Sequence, residues 1–164
     1  MNTMDYAATR QRRPSSIVER RKLDDVPSGT ERIILAEDDS RIRVVTYELL
    51  EDLGYQVEAY ASAIEVLESI ARSCCRVDLV LTDYDMPGLT GFELAQRLRA
   101  EHPGLRIVIT SGWPEDSISP QSNSKYWPPF LPKPYTLQTL ARKIREVLDQ
   151  PSIGDYPMPR SLCP

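Results

Sequence analysis

The chain has 164 residues, of which 41% are hydrophobic and 27% are charged, which is typical of one ordinary globular domain with some spare length. Its net charge of −4 and its pI near 5.1 argue against a basic surface for nucleic acid or anionic membranes, so we expect no direct binding to DNA or membrane. Because the sequence also lacks a run of roughly 20 apolar residues and the apolar block of a secretory signal, we expect a cytoplasmic protein.

Both ends of the chain differ in composition from its middle. Residues 1–30 lack sustained periodicity and mix basic with acidic side chains, which indicates a solvated, disordered leader. Residues 151–164, PSIGDYPMPRSLCP, contain four prolines and predict a disordered tail. We therefore assign the folded domain to residues 31–150.

The domain begins with a strand, a helix and a second strand. RIILA (32–36) is a short β-branched run of the kind that forms a buried strand, and QVEAY (56–60) predicts the next one. Between them, Ser40 can cap a helix and Gly54 can end it in a left-handed conformation. Apolar side chains recur at helical spacing through this segment: Ile42, Val45, Leu49 and Leu53.

Two capping-box signatures predict the next two helices. Ser62 is followed three residues later by Glu65, and Thr90 is followed in the same way by Glu93. The apolar side chains expected to face the core are Ile64, Leu67 and Ile70 in the first helix and Leu94 and Leu98 in the second.

Three further strands and a last helix complete the pattern. VDLVL (77–81) lies between the two capped helices, RIVIT (106–110) follows an HPG stop, and FL (130–131) is a short fifth strand. The prolines of residues 113–129, WPEDSISPQSNSKYWPP, predict that a fourth helix is short or missing. The last helix carries an apolar stripe: Leu137, Leu140, Ile144 and Val147.

Alternating strands and helices of these lengths predict an α/β fold, in which a parallel sheet has helices on both faces. Ligands in such sheets bind at the carboxyl ends of the strands. The residues that leave the strands at that edge are polar: Glu37, Asp38, Asp39, Asp83, Asp85, Ser111 and Lys133.

The acidic members of this set require a positive charge among them. Two unit charges 4 Å apart repel by about 4 kcal/mol at an effective dielectric of 20. Mg²⁺ binds one or two carboxylates, keeps several waters and leaves room for phosphate oxygens, and Lys133 offers a second positive charge. The sequence therefore predicts a phosphate-handling magnesium site at this edge.

Four motifs carry a resemblance to a known family: LAEDDS (35–40), LVLTDYDMPGLTG (79–91), VITSGW (108–113) and FLPKPY (130–135). In their order and spacing they resemble the CheY-like receiver domains of bacterial two-component response regulators, across roughly residues 31–150. The resemblance implies a three-layer, flavodoxin-like (βα)5 fold with strand order 2-1-3-4-5. It also implies a stand-alone receiver that takes a phosphoryl group from a histidine kinase or histidine phosphotransfer protein and signals by docking to another protein.

The resemblance also implies the central site residues. Asp83 would be the phospho-acceptor, and Asp83, Asp38 and the backbone carbonyl of Asp85 would ligate Mg²⁺ or Mn²⁺, with Glu37 helping through water. Lys133 would contact the phosphoryl group, and its peptide bond to the following proline would be cis.

Four further positions receive implied roles in switching and hydrolysis. Ser111 would supply a hydroxyl to the phosphoryl group, and Phe130 would be the aromatic ring that moves after phosphorylation. Asp85 and Trp113 occupy positions where such domains tune hydrolysis of the phosphoryl group. We expect self-catalysed phosphoryl transfer and autodephosphorylation only, and no enzyme class.

Two other functions compete with this interpretation. A phosphohydrolase of the haloacid-dehalogenase type also carries an Asp-x-Asp motif after an apolar strand, here Asp83 and Asp85, but Pro87 stands where that motif has Thr or Val. A binding module that has the fold without phosphorylation would gain stability by losing its crowded acids, which this sequence has kept.

Overall fold

The computed structural model describes residues 26–73, 75–118 and 127–150. The disorder expected for residues 1–25 and for the tail 151–164 lies outside the described residues. Residues 26–30, which we assigned to the leader, contact the domain: Val26 packs against its core, and the Gly29 N–H donates to the Leu53 carbonyl at 3.1 Å.

Five parallel strands form one sheet in the order β2-β1-β3-β4-β5, which confirms the predicted fold class and strand order. The strands are β1 Arg32–Ala36, β2 Gln56–Tyr60, β3 Leu79–Asp83, β4 Arg106–Ser111 and β5 Phe130–Pro132. The prediction for the third strand, residues 77–81, was two residues too early. β3 is buried along its whole length. Its last residue is Asp83, which therefore lies at the carboxyl end of the strand rather than in the following loop.

Helices cover both faces of the sheet, and each face has its own core. Side chains alternate along β1, so that Ile33 and Leu35 face one core while Ile34 and Ala36 face the other. The helices are α1 Ser40–Asp52, α2 Ala63–Arg72, α3 Gly91–Glu101, α4 Glu115–Ile118 and α5 Leu137–Leu148. The first core contains buried residues of α1 and α5, and the second contains those of α2 and α3.

Helix α1 differs from its prediction in both its cap and its buried face. Asp39, not Ser40, is the N-cap, and its carboxylate accepts hydrogen bonds from the backbone N–H groups of Arg41 and Ile42. Ile42 is 38% exposed and Val45 is 56% exposed, so these two members of the expected stripe do not enter the core. The buried helical residues are Thr46 and Leu50.

Helix α1 ends as expected. Leu53 is buried and Leu49 packs partly buried against the first core. Gly54 follows with a φ of 91°, a left-handed conformation that costs glycine little.

The capping predictions for α2 and α3 hold to different degrees. Thr90 and Glu93 form a complete capping box at the start of α3. Ser62 accepts a hydrogen bond from the Glu65 N–H, but the Glu65 carboxylate bonds to the N–H of Ala61 instead of completing the box. Ile64 is 58% exposed, so the prediction that it faces the core was wrong. The side of α2 that faces the core carries Ala63 and Val66 instead.

The remaining elements agree with the sequence patterns. Helix α3 buries Leu94 and Leu98, and α5 buries three of its four predicted stripe residues, with Leu137 packed at the margin of the first core. The described fourth helix has only four residues, as the prolines predicted. Across the three described ranges, no helix has the length and apolar character that crossing a membrane would require.

Candidate functional site

Five polar side chains meet at the carboxyl edge of the sheet. Glu37 and Asp38 leave β1, Asp83 ends β3, Ser111 ends β4, and Lys133 follows β5. Glu37, Asp83 and Ser111 are buried, whereas Asp38 is exposed. The strand ends therefore bring together five of the seven residues that the sequence placed at this edge, whereas Asp39 caps α1 and the Asp85 side chain bonds to Trp113.

Lys133 connects the two buried carboxylates of the site, Asp83 and Glu37. Its Nζ donates to Asp83 Oδ1 at 2.8 Å and to Glu37 Oε2 at 2.7 Å. Burial alone would lower the pKa of Lys133, but these two hydrogen bonds outweigh it and the pKa is raised. The lysine is therefore a fixed positive charge beside Asp83. The cis peptide bond expected between Lys133 and Pro134 is present.

Burial raises the pKa of both carboxyl groups that Lys133 contacts. The pKa of Asp83 and that of Glu37 lie above their ordinary values because desolvation outweighs the hydrogen bonds from the lysine, and the neighbouring Asp38 adds repulsion to both. Ionised acids in such surroundings are stabilised by a further cation.

Three carboxylates are close enough to share one metal ion. Glu37, Asp38 and Asp83 each offer an oxygen, and these oxygens all lie within 4.8 Å of one another. An all-oxygen donor set with one exposed member suits Mg²⁺, which prefers oxygen ligands and keeps several waters. The residues present thus fit the magnesium site predicted from the sequence.

The loop after β4 contacts the loop after β3 through Trp113. The Ser111 hydroxyl oxygen accepts a hydrogen bond from the Trp113 backbone N–H at 3.0 Å. The Trp113 indole Nε1–H donates to Asp85 Oδ2 at 2.6 Å, although the Trp113 side chain is 60% exposed. Sequence reasoning selected Asp85 and Trp113 separately, and the structure shows that they are hydrogen-bonded to each other.

Phe130, the predicted switch residue, lies half-buried at the start of β5 opposite Ile109 of β4. Three residues before Phe130, the Trp127 ring packs against the ring of Phe92, with a centroid distance of 5.0 Å. The movement of Phe130 after phosphorylation stays a prediction.

Two supporting contacts were missed by sequence reasoning. The Tyr135 hydroxyl shares a 2.8 Å hydrogen bond with the buried Thr46 hydroxyl, which ties the Lys133 segment to α1. Gly91 packs against the backbone of Asp83: a Cβ on it would lie 2.1 Å from the Asp83 carbonyl oxygen. The glycine at the end of the DMPGLTG motif was the available signal for the second contact.

Comparisons with known proteins agree with this geometry. A family model described as "Response regulator receiver domain" matches residues 33–145. The response regulator receiver protein CpdR of Brucella abortus (strain 2308) is 36% identical over 120 residues, which cover 71% of this chain and 96% of CpdR. The sensor kinase CckA of the same organism is 31% identical over 150 residues, covering 82% of this chain but only 16% of CckA.

Solved structures show the same fold. A response regulator receiver domain protein from Clostridium thermocellum superposes with a TM-score of 0.66 at 26% identity, and the match covers 73% of this chain and 94% of that one. A CheY-like receiver domain protein from Methanospirillum hungatei JF-1, 31% identical, gives a TM-score of 0.62.

Proposed function

Because this chain belongs to the response regulator receiver domain family and is thereby a phospho-accepting receiver, we propose that Asp83 is the residue that accepts the phosphoryl group. Receiver domains interact with histidine kinases or phosphotransfer proteins, and the donor here would be a phosphohistidine on such a partner. The output would pass to a further protein through docking, without direct DNA binding.

The observation that carries this proposal is the convergence of opposite charges on Asp83. Its carboxylate contacts the Lys133 ammonium group at 2.8 Å and shares a cluster of oxygens with Glu37 and Asp38. Phosphoryl transfer depends mainly on positioning and on neutralising charge on the transferred group. A buried carboxylate placed between an ammonium group and a cation site provides both conditions.

In the proposed reaction, an Asp83 carboxylate oxygen attacks phosphorus as the bond between phosphorus and the donor imidazole breaks. The electron pair of that bond stays on the imidazole nitrogen, and the product is an acyl phosphate on Asp83. Lys133 can hold an oxygen of the transferred group while Glu37 keeps the ammonium in place. The transfer therefore needs no general base, because the carboxylate is already the nucleophile.

The acidic cluster would hold Mg²⁺ or Mn²⁺ during this transfer. Asp38 and Asp83 would be direct carboxylate ligands, with the Asp85 backbone carbonyl as a third and Glu37 acting through water. The bound ion would supply charge neutralisation for the phosphoryl oxygens. Asp38 suits this role because its carboxylate is exposed to solvent beside the two buried ones.

Ser111 would sense the phosphoryl group. The bond from the Trp113 N–H uses a lone pair of the Ser111 oxygen, so the hydroxyl hydrogen can be donated to a phosphoryl oxygen. That new bond would draw the loop after β4 inward, and Phe130 would move to fill the space. Since phenylalanine has no hydroxyl, its movement would depend on packing alone.

The Asp85 and Trp113 pair would control how fast the acyl phosphate hydrolyses. The two side chains are joined by a 2.6 Å hydrogen bond across the loops that flank Asp83. A carboxylate held in this way is kept from orienting a water towards the phosphorus. The pair therefore favours a longer-lived phosphoryl group.

The proposed acceptor is tested by labelling with a small phosphodonor. Wild-type protein is incubated with acetyl phosphate and Mg²⁺, and covalent phosphate is measured by intact-protein mass spectrometry. We expect one phosphate per chain, its loss in Asp83→Asn and in EDTA, and its retention in the matched control Asp85→Asn.

Each rival function has its own result in this experiment. Incorporation that persists in Asp83→Asn would show that another residue is the acceptor. Sustained release of phosphate from small esters that stops in Asp85→Asn would indicate a phosphohydrolase, because that chemistry uses the second aspartate. Wild-type protein that takes up no phosphate from any donor would indicate a phosphorylation-independent binding module.

A further inference from the structure

Arg43 contacts the backbone of the two acidic residues that follow β1. Its Nη1 donates to the Glu37 carbonyl oxygen at 2.5 Å and to the Asp38 carbonyl oxygen at 3.1 Å. The side chain is half-buried, and it lies in the first turns of α1, directly after the acidic turn. One guanidinium group therefore spans the backbone from which two carboxylates of the cluster project.

We propose that Arg43 is a positioning residue for the cation site: it fixes the acidic turn so that the Glu37 and Asp38 carboxylates face Asp83. This inference rests on the proposed function, because it assigns a role within the same metal site. Arg43 would touch neither the metal nor the phosphoryl group. It would act only through the orientation of the two peptide groups that it bonds.

The other hydrogen bonds of the turn leave Asp38 as the residue that Arg43 would hold. The Glu37 N–H is held by the Tyr60 carbonyl of β2 at 3.1 Å, so the residue is anchored on its strand side. On the helix side, the Asp39 carboxylate caps α1, and the Arg43 N–H donates to the Asp39 carbonyl at 2.9 Å. Asp38 lies between these anchors with an exposed side chain, and the guanidinium bonds its carbonyl directly.

Charge and positioning predict opposite effects of removing Arg43. A guanidinium near a cation site repels the cation, so loss of the charge alone would strengthen Mg²⁺ binding. Loss of a group that orients metal ligands weakens binding, typically by 10–100-fold. The direction of the change in affinity therefore distinguishes a positioning role from a purely electrostatic one.

The test uses Arg43→Met, which keeps much of the apolar stem and removes every side-chain donor, beside Arg41→Met as the matched control. Arg41 precedes it by half a turn, carries the same charge and is exposed. Mn²⁺ binding is measured by electron paramagnetic resonance of the free ion, and Mg²⁺ binding by isothermal titration calorimetry, without any phosphodonor. Thermal unfolding in EDTA reports whether each variant is folded.

We expect Arg43→Met to weaken binding of both ions by about tenfold, the lower end of the range for groups that support metal ligands. Arg41→Met should bind as wild type or slightly more tightly. Arg43→Lys, whose single nitrogen has a different reach, should be weakened severalfold, and it replaces the methionine variant if that variant does not fold.

The inference is overturned if the Arg43 variants bind as tightly as wild type, or if Arg41→Met is weakened equally. A different result would contradict the proposed function: if wild-type protein binds neither Mn²⁺ nor Mg²⁺, both the proposed function and the role of Arg43 are overturned. Full metal binding in wild type with no change in Arg43→Met would leave the receiver function standing and remove only the role of Arg43.

Discussion

Substituting Gly91 by alanine tests how closely α3 must approach the backbone of Asp83. A Cβ at this position would lie 2.1 Å from the Asp83 carbonyl oxygen and 3.1 Å from Thr82 Oγ1. The first contact would have to lengthen by about 1.3 Å to reach the 3.4 Å of ordinary van der Waals contact. The obstacle is backbone in a buried strand, so α3 or β3 must shift as a unit.

The expected cost follows from overpacking a well-ordered interior. Such substitutions destabilise by about 1–3 kcal/mol, and we expect Gly91→Ala to lower the free energy of unfolding by about 2 kcal/mol. For a domain of this size, that corresponds to a fall of roughly 6–12 °C in Tm. Gly112→Ala is the matched control, because nothing lies within 4 Å of its Cβ and its φ is not in the left-handed range.

Urea and thermal unfolding of the two variants in EDTA, followed by circular dichroism, measure this difference. The phosphorylation rate at a temperature where both variants are folded measures displacement of Asp83, since a 1 Å misplacement can cost about 100-fold in rate. A Gly91→Ala protein within 0.5 kcal/mol of the Gly112 variant would refute the reasoning. Such a result would mean that β3 and α3 can move apart with little loss in the free energy of unfolding.

Two further substitutions test contacts that flank the site. Tyr135→Phe should lower the free energy of unfolding by about 1–2 kcal/mol, because it leaves the buried Thr46 hydroxyl without its partner. Adding Thr46→Val should recover part of that loss in a double-mutant cycle, and strictly additive losses would contradict the pairing. Trp113→Phe keeps an aromatic ring but removes the indole N–H that holds Asp85. We expect the acyl phosphate to decay about two- to fivefold faster in a pulse-chase measurement, from about 0.5–1 kcal/mol for an exposed hydrogen bond. An unchanged decay rate would show that Asp85 is not restrained by Trp113.

Local sequence signals predicted the elements well where one physical rule decides the outcome. The first two strands have the predicted bounds because each is a β-branched or alternating run between polar turns. The capping box of Thr90 formed completely, and the same signature at Ser62 formed the bond from the Glu65 N–H to the Ser62 hydroxyl, because the residues of each signature belong to one turn of chain. The α/β order then followed from general rules on parallel sheets.

Sequence periodicity failed in α1 because the helix buries a polar residue in place of an apolar one. The expected stripe began at Ile42 and passed through Val45, but Thr46 is 1% exposed while Val45 is 56% exposed. Burial of Thr46 is favourable because its hydroxyl bonds to Tyr135, which lies 89 residues away in the sequence. No window of local sequence contains that partner.

Because local sequence does not contain distant partners, some parts of the site were predicted and others were not. The identity of the acids, the serine and the lysine followed from the strand ends, because parallel strands must share one edge. The Trp113 bond to Asp85 and the Arg43 bonds to the acidic turn depend on the exact paths of loops that meet only in the folded chain. Motif spacing therefore locates the candidate site residues better than the contacts that hold them.

Helix α1 shows how these supporting contacts are organised. Asp39, Arg43 and Thr46 recur at helical spacing, and each bonds a different part of the structure around the site: the start of the helix, the acidic turn and the Lys133 segment. Leu50, four residues after Thr46, is buried on the same side, so this side of the helix faces the protein while Ile42 and Val45 stay exposed. The departure of α1 from its expected pattern therefore follows from a buried face that is centred on Thr46 and Leu50, and the Arg43 that bonds the acidic turn lies beside that face.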